Sequence, residues 1–326
     1  MQERGGVGRG GDMDTLEIKE AVDKAIENYL YEKEPRLLYQ AVKYLPSAGG
    51  KRLRPIIACL SCEAVGGNIM DAIPLAVSLE IIHTFTLIHD DIMDRDEERR
   101  GIPSVHKKFG ENRAILAGDA LFAKAFEILS YTKDAEICKV LTRNVATMAK
   151  EICEGQEMDV AFEEMENVSM ESFLEMIEKK TARMFEYAAM GGAMVGGGSE
   201  KEIEAMRKYG LNLGMAFQIW DDCLDVIGKN IGKPVGSDIR EGKKTLIYIY
   251  AREKYGNIPN YGKKDATEEE MEKIIGILEE TGAIDYARNM ALEFSRKARE
   301  ALNVIKDGEV KDKLMEMAEF AVKREK

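Results

Sequence analysis

The segment His83-Thr84-Phe85-Thr86-Leu87-Ile88-His89-Asp90-Asp91-Ile92-Met93-Asp94 sets an acidic cluster on the end of an apolar run. On a helix, Asp90 and Asp94 fall one turn apart on one face, Asp91 lies on the adjacent flank, and His83 stands two turns before Asp90. Like charges this close repel and weaken an isolated helix, so a cation that shares them is expected. Carboxylate oxygens alone suit Mg²⁺, which takes one or two of them and completes its shell with water and substrate phosphate. The same form recurs at Asp221-Asp222-Cys223-Leu224-Asp225, after Phe217-Gln218-Ile219-Trp220. A solvated acidic face would explain the charge but not its setting, because both clusters follow large apolar residues and read as polar ends of buried helices. A di-iron bundle would need a pair of Glu-x-x-His motifs on facing helices, and the sequence does not supply the pair.

Outward from this segment the pattern stays helical. None of the seven prolines falls between Pro103 and Pro234. Apolar spacing of three and four runs through Ala114, Leu116, Ala117, Leu121, Ala125, Ile128 and Leu129. Strand alternation with β-turn dipeptides is absent, and helix ends are expected at Gly66-Gly67, Gly191-Gly192, Gly196-Gly197-Gly198 and Gly228. The fold class is therefore all-α, a single large helical bundle. The 326 residues, 45% hydrophobic, allow a large core, and no linker divides them. One domain is expected over 13–326, after a Gly/Arg-rich tail at 1–12 that cannot pack.

Composition excludes some classes of function. A net charge of −12 argues against nucleic acid as a partner. Five cysteines, odd in number and scattered, make no disulfide framework and point to a reducing, cytoplasmic location. Cys59-x-x-Cys62 lacks a second ligand pair and reads as buried helix cysteines rather than a zinc site. The longest apolar run, Ile73 to Ile88, carries Glu80 and His83 and is too short to cross a bilayer, so no transmembrane segment is expected.

Cations complement the carboxylates. Gly49-Gly50-Lys51-Arg52-Leu53-Arg54-Pro55 places a flexible turn and three positive charges at a helix start, where free N–H groups also favour anions. Arg99-Arg100-Gly101 follows the first Asp cluster. Lys180-Thr181 lies on a helix, and Gly232-Lys233-Pro234 and Gly242-Lys243-Lys244-Thr245 follow the second cluster. Arg52 and Lys244 are read as candidates for ordinary solvated cations. Metal-binding carboxylates interleaved with phosphate-binding cations imply a diphosphate handled by a metal cluster.

With these blocks assembled, the chain resembles the trans-isoprenyl diphosphate synthases, the farnesyl and geranylgeranyl diphosphate synthase group. The blocks are GGKRLRP, IHTFTLIHDDIMD, RRG, the LAGDAL stretch around Asp119, KKTARMF, FQIWDDCLD and GKPVGSDIREGKKTL, in the family's order from Gly49 to Leu246. One departure is Ile247, where the family often has Pro. The resemblance implies an all-α bundle around a deep central cavity, usually a homodimer. It implies that Asp90, Asp91 and Asp94, with Asp221, Asp222 and Asp225 across the cavity, bind three Mg²⁺ ions that chelate an allylic diphosphate. Arg99, Lys180, Lys233 and Lys243 would hold that diphosphate. Lys51, Arg54, His83 and Arg100 would hold isopentenyl diphosphate. Thr181 and Gln218 would place oxygen dipoles near the developing carbocation. His83 is read as facing the cavity, His89 as structural.

The implied reaction is ionisation, condensation and elimination, lengthening a dimethylallyl, geranyl or farnesyl diphosphate by a five-carbon unit. Phe85, five positions before Asp90, and Thr86, four before, would form the cavity floor. One aromatic at the farther position resembles archaeal-type geranylgeranyl diphosphate synthases, so a twenty-carbon product is expected, with a farnesyl or bifunctional enzyme as the alternative. A class I terpene cyclase also carries one such Asp cluster, but its second metal site normally mixes Asn, Ser/Thr and Glu. A non-catalytic subunit would lose the Asp clusters, and a metal-storing or structural bundle would have no use for the basic sets.

Overall fold

The computed structural model describes residues 14–227 and 236–324. The expected tail at 1–12, the helix end at Gly228 and the diphosphate contact Lys233 lie outside the described residues. Among the described residues fifteen α-helices follow one another: α1 Thr15–Tyr29, α2 Arg36–Ser47, α3 Leu53–Ala64, α4 Ile69–Met93, α5 Val105–Phe109, α6 Glu111–Leu129, α7 Ala135–Glu164 and α8 Met170–Ile177. After a π-helical turn at Glu178–Ala182 come α9 Arg183–Val195, α10 Glu200–Ile227, α11 Ser237–Glu241, α12 Leu246–Tyr255, α13 Glu268–Glu280, α14 Ala283–Ala301 and α15 Glu309–Phe320. The only strands among the described residues are the two-residue pair Glu98–Arg99 and Ile102–Pro103, a hairpin around Arg100-Gly101. The fold is all-α, as expected.

Local chemistry starts several of these helices. Asp14 and Glu17 form a capping box on α1, and Thr267 and Glu270 do the same on α13. Asn68 caps α4 through the Met70 N–H, and Asp134 caps α7 through the Ile137 N–H. Pro55 falls in the first turn of α3, where its missing N–H costs nothing.

The buried apolar residues gather into two clusters. One joins α1–α4, α6, α9 and the first half of α10; the other joins α8, the second half of α10 and α12–α14. Helix α10 thus runs through both, and Tyr209 on it, fully buried, donates to the Leu314 carbonyl of α15 at 2.8 Å. Helix α4 packs on α3 and α6, and α10 on α9 and α14.

Three expectations are corrected here. Gly191-Gly192 do not end a helix but lie inside α9, because their missing side chains let α9 press against α3 and α4. A Cβ on Gly192 would come 2.1 Å from the Ala58 carbonyl oxygen, and one on Gly191 2.8 Å from Leu75 Cδ2. The true end of α9 is Gly196, followed by Gly197 at φ +75°. Leu116, counted in the apolar stripe of α6, is 55% exposed. Finally, α4 is by length and mean hydropathy (1.5) sufficient to cross a membrane, although the bare run Ile73–Ile88 looked too short. Two thirds of that window is buried inside the bundle (67%), and Glu80, His83, Asp90 and Asp91 sit on the helix, so its apolarity serves the protein core.

Glycine packing supplies a test by contrast. Gly192→Ala should destabilise by about 1–3 kcal/mol through overpacking. Gly276→Ala, inside α13 with open space around it, should stabilise by about 0.5–1 kcal/mol. Denaturant unfolding of the two variants checks both signs.

Candidate active site

Helices α4 and α10 each end on their acidic cluster, and the two ends face adjoining cavities of about 620 Å³ and 490 Å³. Lys51, Arg99, Lys180, Thr181, Gln218 and Asp221 line both, so the cavities are continuous. Asp90, Arg54, His83, Arg100, Phe85 and Thr86 line the larger one. Asp94, Asp222, Asp225 and Lys243 line the smaller one. Among the described residues, every expected site residue except Asp91 reaches this lining.

By spacing alone the three carboxylates of each cluster are alike; the structure separates them. Asp91 is fully buried and is taken by Arg99, whose Nε donates to its Oδ1 at 2.7 Å while a terminal nitrogen also reaches Asp96 at 3.0 Å. Asp225 caps the short helix α11, accepting from Ser237 Oγ at 2.5 Å and from the Asp238 N–H at 3.0 Å. Asp222 accepts from Gln218 Nε2 at 2.9 Å, and Thr181 Oγ1 donates to Gln218 Oε1 at 2.9 Å. Asp221 pairs with the guanidinium of Arg324 at 2.8 Å, and that guanidinium lies 3.7 Å from the Phe217 ring centre. Asp90 and Asp94 accept no side-chain hydrogen bond from a described residue.

Burial works against several of these charges. It pushes Asp90 up to about 6, with Asp94 and Asp91 adding repulsion, and raises Asp91, Asp94 and Asp221 as well. Asp222 is driven well above the usual carboxylate range by complete burial and by Asp238. Asp91 Oδ2 and Asp222 Oδ2 are buried without a hydrogen-bond partner. Oxygen donors in this state fit a hard divalent cation, which would relieve both the desolvation and the mutual repulsion. No group of three or more His, Cys, Asp or Glu side chains among the described residues closes on one point as a preformed cage. That also suits Mg²⁺, which draws the rest of its shell from water and phosphate.

The π-helical turn positions Lys180 and Thr181. A Cβ on Gly155 of α7 would come 2.4 Å from the Lys180 nitrogen, and one on Gly214 of α10 would come 2.6 Å from Ala182 Cα. The turn is thus clamped between two glycines, and a π insertion of this kind is frequent at functional sites. Lys180 Nζ meets Asp159 at 2.5 Å. Lys243 is held by Asp238 at 3.1 Å and Glu241 at 3.0 Å.

On the opposite side, Arg54 lies 4.6 Å from the Phe185 ring centre, and its Nε is buried without a partner. Burial lowers its pKa to about 10, which leaves it charged at neutral pH. His83 faces the cavity, but burial and the surrounding arginines hold its pKa well below 6.5, so it is neutral. His89 contacts the Ile115 carbonyl at 3.2 Å through Nε2, and it also borders the cavity. Phe85 packs on His89 (4.9 Å between ring centres) and on Phe122 (5.2 Å), which in turn packs on Phe126 (5.2 Å). Thr86 turns its hydroxyl back to the His83 carbonyl at 2.8 Å.

Arg52 corrects another expectation. It is not solvated but 4% exposed, with donors spent on Asp23 (2.8 Å), Glu80 (2.6 Å) and the Pro46 carbonyl (2.7 Å). Lys244 lines the smaller cavity, donating to the Gly242 carbonyl at 3.2 Å. Sequence reasoning also missed Gln156 and Asp159. The signal was present in Gly155-Gln156-Glu157-Met158-Asp159, a small residue with polar groups at helical spacing. Cys59 and Cys62 are buried, and burial raises Cys62 to about 12, in keeping with core cysteines.

Fold and site together define an all-α protein with two acidic clusters and their complementary cations around adjoining cavities. The polyprenyl synthetase family model matches residues 35–278, and the chain belongs to that family and is a prenyltransferase. It is 45% identical to a geranylgeranyl diphosphate synthase of Methanosarcina mazei, over 93% of this chain and 95% of that protein. It is 40% identical to a geranylfarnesyl diphosphate synthase of Natronomonas pharaonis, over 94% and 96%. Among solved structures, a geranylgeranyl pyrophosphate synthetase from Geoglobus acetivorans superposes with a TM-score of 0.91 at 43% identity, covering 95% of this chain and 99% of that one. The resemblance read from the motifs is confirmed, and the family uses Mg²⁺ to bind diphosphate substrates.

The raised carboxylates make a prediction about pH. A folded-state value of about 6 for Asp90, against 3.8 unfolded, means that protonation favours the metal-free fold. That contribution is present below about pH 4 and is lost as pH rises through about 6. Mg²⁺ competes with the same protons. The rise in melting temperature caused by Mg²⁺ with inorganic diphosphate should therefore be larger above about pH 6 than below it; a thermal-shift series across this range checks the sign.

Proposed function

We propose that the chain is a geranylgeranyl diphosphate synthase, condensing isopentenyl diphosphate with an allylic diphosphate. The observation that carries this reading is the gathering of two acidic clusters and two basic sets around adjoining cavities that share six lining residues, the larger of them also lined by Phe85. Asp90, Asp94 and Asp221 are the carboxylates best placed to hold metal, supported by Asp91, Asp222 and Asp225 behind them. Three Mg²⁺ ions per site would, when bound, neutralise charge on the allylic diphosphate. Arg99, Lys180, Lys233 and Lys243 complete that neutralisation, so the allylic C–O bond breaks and the diphosphate leaves with the electron pair. Thr181 and Gln218 aim oxygen dipoles at the cation left on carbon. Lys51, Arg54 and Arg100 bind the isopentenyl diphosphate, with neutral His83 as a hydrogen-bonding group rather than a charge. Its double bond attacks the cation, a carbon–carbon bond forms, and a proton passes to the released diphosphate. The apolar walls keep water from the cation.

The described residues form one domain in this reading, because α10 runs unbroken through both apolar clusters. A homodimer is supported by Ile115 and Leu116, which stand 39% and 55% exposed on α6. The acidic balance and reduced cysteines favour a cytoplasmic protein. A twenty-five-carbon product is the second reading, since relatives 40–41% identical are named geranylfarnesyl diphosphate synthases.

Incubation with Mg²⁺, labelled isopentenyl diphosphate and each allylic primer should yield a twenty-carbon diphosphate as the main product; no condensation with any primer would refute the proposal. Phe85→Ala should lengthen the product by at least one five-carbon unit, because it removes the ring that closes the cavity. Chromatographic sizing of the dephosphorylated alcohols reads the result, and an unchanged length would remove Phe85 from the floor.

A further inference from the structure

Arg52 is the residue whose geometry the reaction leaves unexplained. It adopts φ +51°, ψ +34°, a left-handed backbone that is costly for an arginine, in the position just before α3. Its guanidinium ties that turn to three other helices: to Asp23 of α1, to Pro46 of α2 and to Glu80 of α4. It borders the larger cavity, but its side chain is only 2% exposed and each of its three nitrogens already donates to another part of the protein.

Glu80 is its counterpart. It sits in the middle of α4, 2% exposed, one turn before His83. Its Oε1 lies 2.6 Å from Arg52 and 3.6 Å from Arg100. Arg100 also donates to the Gly49 carbonyl in the same turn. It packs so closely that a Cβ on Gly50 would stand 3.2 Å from its guanidinium carbon. A buried carboxylate thus stands among the cations of one end of the cavity, while Lys180 and Lys243 at the other end are held by Asp159, Asp238 and Glu241.

We propose that the buried Arg52–Glu80 ion pair is a positioning device for the isopentenyl diphosphate end of the cavity. It locks the Gly49–Arg54 turn in its left-handed form so that Lys51 and Arg54 flank one point, and it holds Arg100 against the same turn. The pair acts through the turn and through Arg100, its own charged atoms being spent on each other. The inference rests on the proposed function, which assigns Lys51, Arg54 and Arg100 to isopentenyl diphosphate. It adds that this subsite depends on a pair with no part in allylic binding or in the apolar floor.

Two variants test it. Glu80→Gln keeps the shape and removes the charge; Arg52→Met/Glu80→Leu removes both charges of the fully buried pair, leaving only the partly exposed Arg100 and Asp23 to water, and provides a folded variant if the first proves unstable. In each, KM for isopentenyl diphosphate should rise at least about tenfold, while KM for the allylic diphosphate stays within about threefold and product length is unchanged. Calorimetric titration with isopentenyl diphosphate alone should show the same weakening. Equal rises in both KM values would mark a merely structural role and overturn the proposal, as would an isopentenyl diphosphate KM within twofold of the parent in a folded variant. Failure of the parent chain to condense any allylic primer would instead sink the functional reading, so the two failures are distinguishable.

Discussion

Charge held out of water is the constraint on which the rest of this molecule turns. Carboxylates cluster at the ends of α4 and α10, several of them wholly or partly withdrawn from water, and most are pushed toward protonation. Burying such groups in a finished fold is unfavourable unless something else will share them. The protein handles the surplus in two ways. Members set back from the mouth are partnered internally, Asp91 by Arg99 through Oδ1 alone and Asp225 by the head of α11. Asp90 and Asp94, nearer the opening, are left without such partners. The division follows from helix geometry, since adjacent positions are rotated about 100° and only one can face the gap squarely.

Holding charge in place also demands backbones that approach closely. The π turn carrying Lys180 and Thr181 lies between Gly155 and Gly214, and α9 meets α3 at Gly192. At each contact a methyl group would displace main chain rather than a flexible side chain, so small shifts there would be transmitted to the diphosphate-binding groups. Thr181, Gln218 and Asp222 form a hydrogen-bonded chain that ties the π turn to α10.

Much of this was legible beforehand, and the gaps have physical causes. Helical period, the absence of Pro between residues 103 and 234, and two acidic clusters after apolar runs pointed to the bundle and its site. Gly191-Gly192 were misplaced because a glycine pair that stops a helix and one that allows helix contact look identical without the partner helix. Arg52 looked like any surface arginine, since Glu80 and Asp23, which bury it, lie 28 and 29 residues away in sequence. The unequal fates of Asp90 and Asp91 depend on where Arg99 folds back, which the hairpin at Glu98–Pro103 decides. Motif spacing can identify the donor set, but not which donors the protein keeps for itself.

The floor follows a different logic from the mouth. Phe85 is not a single plug: it leans on His89 and Phe122, and Phe122 leans on Phe126, so the ring is backed by a row that reaches into α6. Gly118 on the same helix is what admits His89, because a Cβ there would stand 2.2 Å from its Nε2. In the proposed reading, a chain growing down the cavity would meet a ring stiffened from behind by these contacts. Thr86, one position nearer the acidic end, has no aromatic bulk and turns its hydroxyl to the helix, so it would leave depth open beside Phe85. Under that reading length and ionisation would be set by different parts of α4, and a change in the aromatic row would alter how long a product fits without removing any of the acidic residues.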